Sequence, residues 1–274
     1  MSQRFKAACL QTNATPDIQR NLDAAAALAR QAAQHGANLI LMPENVAMMD
    51  FGRPNILAKA ACEASHPAIP FLANLARELK VWLHGGTIHV LLDGERVANR
   101  TYVFSPEGEI KASYDKIHMF DVDLANGESY RESATFRPGD KGALVDLPWG
   151  KLGLSVCYDL RFAYLYRALA QAGAKFLTVP AAFTRTTGSA HWHVLLRARA
   201  IETGCYVFAP AQCGEHAGNR QTFGHALIVA PWGEVLADAG EEPGFILAEI
   251  DPAKVEEARR MVPALSHDRP FTLP

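Results

Sequence analysis

Lys151-Leu152-Gly153-Leu154-Ser155-Val156-Cys157-Tyr158-Asp159-Leu160-Arg161 reads as a short apolar strand that ends on a cysteine and then turns toward a helix. Leu152, Leu154 and Val156 supply the aliphatic content of a buried strand. Beyond Arg161, Phe162, Leu165, Tyr166 and Leu169 recur at helical spacing, and Gly173 is a natural stop. A thiol between strand end and helix start lies near unpaired backbone N–H groups and the positive end of a helix dipole. Both favour thiolate over thiol and can hold an oxyanion. Most free cysteines are small buried hydrophobes, so the nucleophile reading needs support from the rest of the chain.

The composition is that of a folded globule. At 274 residues, 49% hydrophobic and 20% charged, the chain has material for a sizeable core, and it reads as one domain over 1–274. Its 27 Lys plus Arg against 29 Asp plus Glu leave a net charge of −2, with no basic surplus for nucleic acid. The N-terminus has no long apolar run behind it, so neither a signal peptide nor a membrane span is expected. The five cysteines, Cys9, Cys62, Cys157, Cys205 and Cys213, are scattered and show no CxxC spacing. That argues against a disulfide scaffold and a zinc-thiolate site, and fits a reducing cytoplasm.

Outward from the cysteine strand, β and α patterns interleave. Strands are expected at 4–11, 39–42, 81–90, 97–104, 109–114, 143–147, 175–179, 205–211, 224–229, 235–238 and 245–250. Helices are expected from a Thr15 N-cap to Gly36, at 68–79, 161–171, 189–203 and 252–260. Gly85-Gly86, inside a strand, marks a bulge or a close backbone approach. The stretch 121–138 lacks periodicity and reads as a long loop. Several strand pairs are joined by short hairpins, so the sheets are mixed. The strand count is too high for one comfortable open sheet, and two packed sheets with helices outside are the simpler solution.

Three strand ends carry a functional side chain: Glu44 after Leu39-Ile40-Leu41-Met42-Pro43, Lys116 in Tyr114-Asp115-Lys116-Ile117-His118, and Cys157. In these segments, and in this order, the chain resembles the nitrilase, or carbon–nitrogen hydrolase, superfamily along essentially its whole length. The resemblance implies a four-layer αββα sandwich, usually paired into a homodimer, with Glu, Lys and Cys as the catalytic set.

Carried over residue by residue, the resemblance makes Cys157 the nucleophile. An unperturbed thiol has a pKa of about 8.5, so only a few per cent is thiolate at neutral pH. Glu44 is then the general base that takes the thiol proton, returns it to the leaving amine and later activates water. Lys116 stabilises the oxyanion, aided by the backbone N–H of Tyr158, and lowers the thiol pKa. Tyr130-Arg131-Glu132-Ser133-Ala134 matches the context of the second glutamate that often accompanies this set, so Glu132 is assigned to positioning Lys116 or the substrate amide. Taken alone, Glu44 would be a loop carboxylate and Lys116 a surface amine; their joint occurrence with Cys157 outweighs those readings.

The C-terminal half, with Gly188-Ser189-Ala190-His191-Trp192, Leu196-Arg197-Ala198-Arg199-Ala200-Ile201-Glu202, Ala211-Gln212-Cys213-Gly214 and Gly224-His225, is similar to the deaminated glutathione amidase branch. Such enzymes release 2-oxoglutarate and cysteinylglycine. His193 and Ala230 depart from the acidic residues frequent at those positions. A 2-oxo acid carries a carboxylate, so a cationic contact is expected, and Arg161 is the candidate; Arg197 and Arg199 read as structural or surface residues. Three alternatives stand beside this reading. One keeps the chemistry but changes the substrate: ω-amidase, nitrilase or carbamoyl hydrolase. One is a zinc hydrolase using His191 and His193, which a helix would point to different faces. The third is a non-catalytic ligand-binding protein on the same fold. No sequence feature requires a metal, nucleotide or other cofactor.

Overall fold

The computed structural model describes residues 3–124 and 127–274. The chain opens with β1 (Phe5–Thr12), α1 (Ile18–Gln34), β2 (Leu39–Leu41), α2 (Arg53–Lys59) and α3 (Ala68–Leu79). The strands β3 (Trp82–Leu91), β4 (Val97–Phe104) and β5 (Ile110–Asp115) follow, then the small hairpin of β6 (Asp121–Asp123) and β7 (Ser129–Arg131). Next come β8 (Ala143–Leu147), β9 (Gly150–Leu154), α4 (Ala163–Gln171), β10 (Ala174–Thr178) and α5 (Arg185–Thr203). The last part holds β11 (Tyr206–Ala209), β12 (Ala211–Glu215), β13 (Gln221–Phe223), β14 (Leu227–Val229), β15 (Val235–Asp238), β16 (Gly244–Ile250) and α6 (Ala253–Met261).

The strands form two mixed sheets. One runs β13-β12-β1-β2-β3-β4-β5, with β16 antiparallel to β1; the other runs β15-β14-β11-β10-β9-β8. The alternation in β1 shows how the layers arise. Phe5, Ala7 and Cys9 point into the space between the sheets, in one apolar core with Leu152, Leu154, Phe176 and Phe208. Ala8 and Leu10 point the other way, into a core with Leu22 and Ala26 of α1 and Leu72 and Leu75 of α3. Because side chains alternate along a strand, both faces of β1 are covered. On the far side of the second sheet, Leu165 and Leu169 of α4 and Trp192 and Leu196 of α5 are buried. Each such side chain contributes about 1.5–3 kcal/mol on burial. The result is the αββα layering that the sequence suggested. Among the described residues, no helix is long and apolar enough to cross a membrane.

One chain crossing joins the sheets directly. β11 lies in the second sheet and β12 in the first, so the chain changes sheet at Pro210. Proline has no N–H to lose there, and its carbonyl accepts the Ala181 amide at 3.0 Å. β1 meets β12 only at Gln11 and Thr12, while β16 takes the rest of that edge.

The structure corrects several local expectations. The strands are more numerous than the twelve read from the sequence, the cysteine strand included. The stretch 121–138 is no plain loop: it folds into β6–β7 and a 3₁₀ turn at Glu132–Ala134. These elements are three residues long and polar, so they carry no periodicity to detect. The seven-residue α2 escaped for the same reason of length. The α1 cap is Asp17, which accepts the Arg20 amide, while Thr15 instead receives the Asp17 amide. α5 starts at Arg185, capped by Thr184, ahead of the Ser189 at which the expected helix began. Cys157–Arg161 is a 3₁₀ turn, and α4 begins only at Ala163.

Candidate active site

Glu44 is carried past the end of β2 by Met42 and Pro43. The Met42 amide donates to the His84 carbonyl at 3.0 Å, and the Thr87 amide to the Pro43 carbonyl at 3.2 Å. This docking requires the glycine pair in β3. Gly86 sits at φ +62°, and a Cβ there would lie 2.1 Å from the Pro43 oxygen. The β3–β4 register also shifts between His84 and Thr87, so the pair is both a bulge and a close approach.

The carboxylate so placed is buried, 3% exposed. Its Oε1 accepts from Lys116 Nζ at 3.0 Å and from Asn99 Nδ2 at 2.9 Å; its Oε2 accepts the Ala182 backbone N–H at 2.8 Å. Lys116 follows β5 directly, beside Asn99 of β4, whose carbonyl accepts the Lys116 amide. The ammonium is 2% exposed and donates to both oxygens of Glu132, at 2.9 and 2.8 Å. Glu132 also accepts the Phe120 amide at 2.6 Å, which ties the 121–138 arm to the site.

Cys157 lies across from these groups on the second sheet's side. It has φ +48°, a left-handed conformation that costs a non-glycine residue about 1–3 kcal/mol. Two features hold it there. Its amide donates to the Pro180 carbonyl at 3.0 Å. The fully buried Asp159 accepts from the Val156 amide at 2.8 Å and from Tyr114 Oη at 2.7 Å on Oδ2, and from the His118 amide at 3.0 Å and His118 Nδ1 at 2.6 Å on Oδ1. One carboxylate therefore joins the residues flanking Lys116 to those flanking Cys157.

The electrostatics differ from the sequence reading. Burial, and then the charge of Glu44, push the Cys157 thiol well above its ordinary pKa; the opposing pull of Lys116 does not prevail. The helix that was to favour thiolate starts beyond the turn, out of effective dipole range. Burial would also raise the Glu44 carboxyl, but the Lys116 cation, hydrogen bonds from Cys157 and Lys116, and the more distant Arg220 charge hold it below the usual carboxylate value. Burial would lower Lys116, yet Glu132 and Glu44 carry it well above the usual lysine value. The resting arrangement is a neutral thiol against an ionised carboxylate, with a cation beside both.

These groups share a cavity of about 340 Å³ whose wall includes Glu44, Lys116, Glu132, Cys157, Tyr158 and Arg220. The structure thus brings together five of the six residues singled out in the sequence: Glu44, Lys116, Cys157, Glu132 and Tyr158. Arg161 is not on the wall. The 3₁₀ turn carries it round so that its guanidinium packs 5.2 Å from the Phe183 ring centre and 5.8 Å from that of Tyr158, with Nη1 at 3.3 Å from His191. His193 points elsewhere than His191: it and His225 both donate to Asp238, at 2.9 Å each, and the ligating atoms of these three lie within 4.8 Å of one another. Asn99, Asp159 and Arg220 were missed. Asp159 sits inside the cysteine motif and Asn99 inside an expected strand, but neither carries a signal of its own, and Arg220 lies in an irregular connection.

A buried carboxylate, ammonium and thiol thus share one cavity at the seam of an αββα sandwich. The sequence model of the carbon-nitrogen hydrolase family matches residues 6–260, and the chain belongs to that family. It is 43% identical over 267 residues to the deaminated glutathione amidase of Synechocystis sp., covering 96% of this chain and 97% of that protein. It is 42% identical over 275 residues to the human deaminated glutathione amidase, covering 96% of this chain and 82% of the relative. The crystal structure of the C. elegans NitFhit protein superposes with a TM-score of 0.90 at 34% identity, over 98% of this chain; this chain spans 66% of that one.

Proposed function

We propose that this protein is an amidase that cleaves the C–N bond of a small 2-oxo-acid amide of the deaminated glutathione type, through a thioester on Cys157. The observation that carries the reading is the buried Glu44–Lys116 pair, braced by Glu132 and set against the Cys157 thiol in one cavity. The name and near-complete coverage of the Synechocystis and human relatives support the substrate class.

The reaction follows from the charges. Glu44 takes the proton of Cys157 as sulfur bonds to the amide carbon, so the thiolate need not exist beforehand. The carbonyl oxygen becomes an oxyanion beside Lys116 and the Tyr158 N–H, a first-turn amide of the kind that has no carbonyl partner within its own helix. Collapse breaks the C–N bond, and Glu44 hands its proton to the departing amine. Water then gives a proton to Glu44 and attacks the thioester, and the sulfur leaves as the thiol by recovering that proton. Glu132 holds Lys116 in place through hydrogen bonds from its ammonium to both carboxylate oxygens.

The test is a panel of deaminated glutathione, 2-oxoglutaramate, a carbamoyl amino acid and an aliphatic nitrile, with intact-mass detection of an acyl adduct on Cys157. The highest kcat/KM for deaminated glutathione, and an adduct absent from Cys157→Ser, are expected. The substrate reading fails if that compound is the poorest of the set, and the nucleophile reading fails if Cys157→Ser keeps wild-type turnover.

We also infer a homodimer in the cytoplasm. Tyr164 of α4, Val194 and Ile201 of α5, and Trp232 are exposed apolar groups on the outer helices and the adjoining turn, and a second copy would cover them. All five cysteines are free thiols, as a reducing compartment would keep them. Light scattering at the monomer mass would refute the dimer.

A further inference from the structure

Four cations stand on the cavity wall: Arg53, Lys116, Arg131 and Arg220. Three have carboxylate partners. Lys116 is held by Glu44 and Glu132, Arg131 by Asp123 at 2.8 Å, and Arg53 lies 3.9 Å from Glu95. Among the described residues, no carboxylate lies within ion-pair distance of Arg220. Its guanidinium is nonetheless fixed. It lies 5.2 Å from the Tyr130 ring centre and 5.4 Å from that of Phe51, and Nη2 donates to the Ala182 carbonyl at 2.7 Å. Nε is buried and has no partner. Arginine in this state is preorganised for a planar anion: its face is stacked, one edge is anchored, and donors remain.

Its distance from the chemistry is also set. Ala182 donates its N–H to Glu44 Oε2 and accepts from Arg220 through its C=O, so one residue separates the proposed base from the free cation. A five-carbon acyl chain, roughly 5 Å from amide carbon to carboxylate carbon by ordinary bond lengths, is of the scale needed to bridge such a gap.

The geometry points to Arg220 as the specificity-determining residue that binds the carboxylate at the 2-oxo-acid end of the substrate, the role the sequence had offered to Arg161. This rests on the amidase reading above and deepens it. A competing account makes Arg220 a counter-charge for the Glu44–Glu132 pair. A counter-charge would affect anionic and neutral substrates alike, whereas an anchor acts only on those carrying the carboxylate.

The experiment compares wild type, Arg220→Gln and Arg220→Lys on deaminated glutathione and its two monomethyl esters, one at the 2-oxo-acid end and one at the glycine end. A second readout, independent of turnover, is protection of Cys157 from iodoacetamide by glutarate. Arg220→Gln is expected to lower kcat/KM roughly 10- to 100-fold on the substrates with a free 2-oxo-acid carboxylate, the scale of a charge-assisted bond. On the ester blocked at that end, the difference between wild type and variant should largely vanish. Glutarate protection should weaken by a similar factor, with partial recovery in Arg220→Lys. Equal losses on both esters, or unchanged glutarate protection in Arg220→Gln, would overturn the assignment. If wild type itself hydrolyses neutral amides better than anionic ones, the substrate reading falls, and the Arg220 assignment falls with it.

Discussion

Replacing Glu44 by Gln keeps the shape of the side chain and removes its charge, which separates its structural work from its chemical work. Besides the bond from the Cys157 thiol, the carboxylate accepts from Lys116, Asn99 and the Ala182 amide. A carboxamide has one acceptor oxygen and one donor nitrogen. With its oxygen toward Lys116 and Asn99, it turns an N–H toward the Ala182 N–H and orphans that donor. A buried donor without a partner costs about 1–3 kcal/mol. Lys116 keeps both bonds to Glu132, so the larger penalty for an unpaired buried cation is avoided. Urea unfolding of Glu44→Gln should therefore show a loss of about 1–3 kcal/mol in a protein that still folds. The chemical effects run in opposite directions. Turnover should fall by about 10²- to 10⁴-fold, the usual worth of a general base. The thiol pKa should fall too, because the second-largest cause of its elevation is gone and Lys116 remains. The pH dependence of thiolate absorbance in the variant, read against wild type, reports this directly. Wild-type turnover in the folded variant, or a thiol that titrates at higher pH than before, would refute the reasoning.

Other perturbations follow from the same geometry. Lys116→Met leaves the buried Glu44 and the half-buried Glu132 without their cation and should cost about 3–5 kcal/mol in urea unfolding, with part of the loss recovered as pH is lowered and Glu44 protonates; a loss below 1 kcal/mol would contradict it. Gly86→Ala puts a methyl group onto the Pro43 carbonyl at a positive φ, so about 2 kcal/mol or more of stability and much of the turnover should go together; wild-type kinetics would show that the Glu44 loop does not depend on that approach. Acid sensitivity should come from His84 and His89, whose burial lowers each pKa from 6.5 to about 4. The folded state prefers them neutral, so each contributes roughly 3 kcal/mol above pH 6.5 that is lost as pH falls toward 4. A flat profile of urea midpoints across that range would count against the assignment.

Much of this arrangement was legible in the residues, for identifiable reasons. Glu44 and Cys157 each follow an apolar run that has to be a buried strand, Lys116 follows the second strand of a hairpin, and polar side chains at such ends project from the sheet rim. The αββα layers were legible because the strands are too many for one open sheet, while α1 carries a single apolar stripe. Arg161 was misjudged because nearness along the chain is not nearness in space: a tight turn directs successive side chains to different sides. Arg220 was invisible because it arrives by a long path, after the change of sheet at Pro210 and on a turn with no periodic pattern. The direction of the thiol pKa was missed because burial is a property of the packed molecule. A local motif reports the cation and the dipole but not the water removed from around the sulfur.

Asp159 sits where two layers meet, and its hydrogen bonds couple the rim of one to the rim of the other. The chemistry therefore has no home within either layer alone; it exists only while the two keep their mutual alignment. Gentle heating should silence the enzyme at temperatures where circular dichroism still reports intact strands, with aligned layers as the first casualty and secondary structure the last.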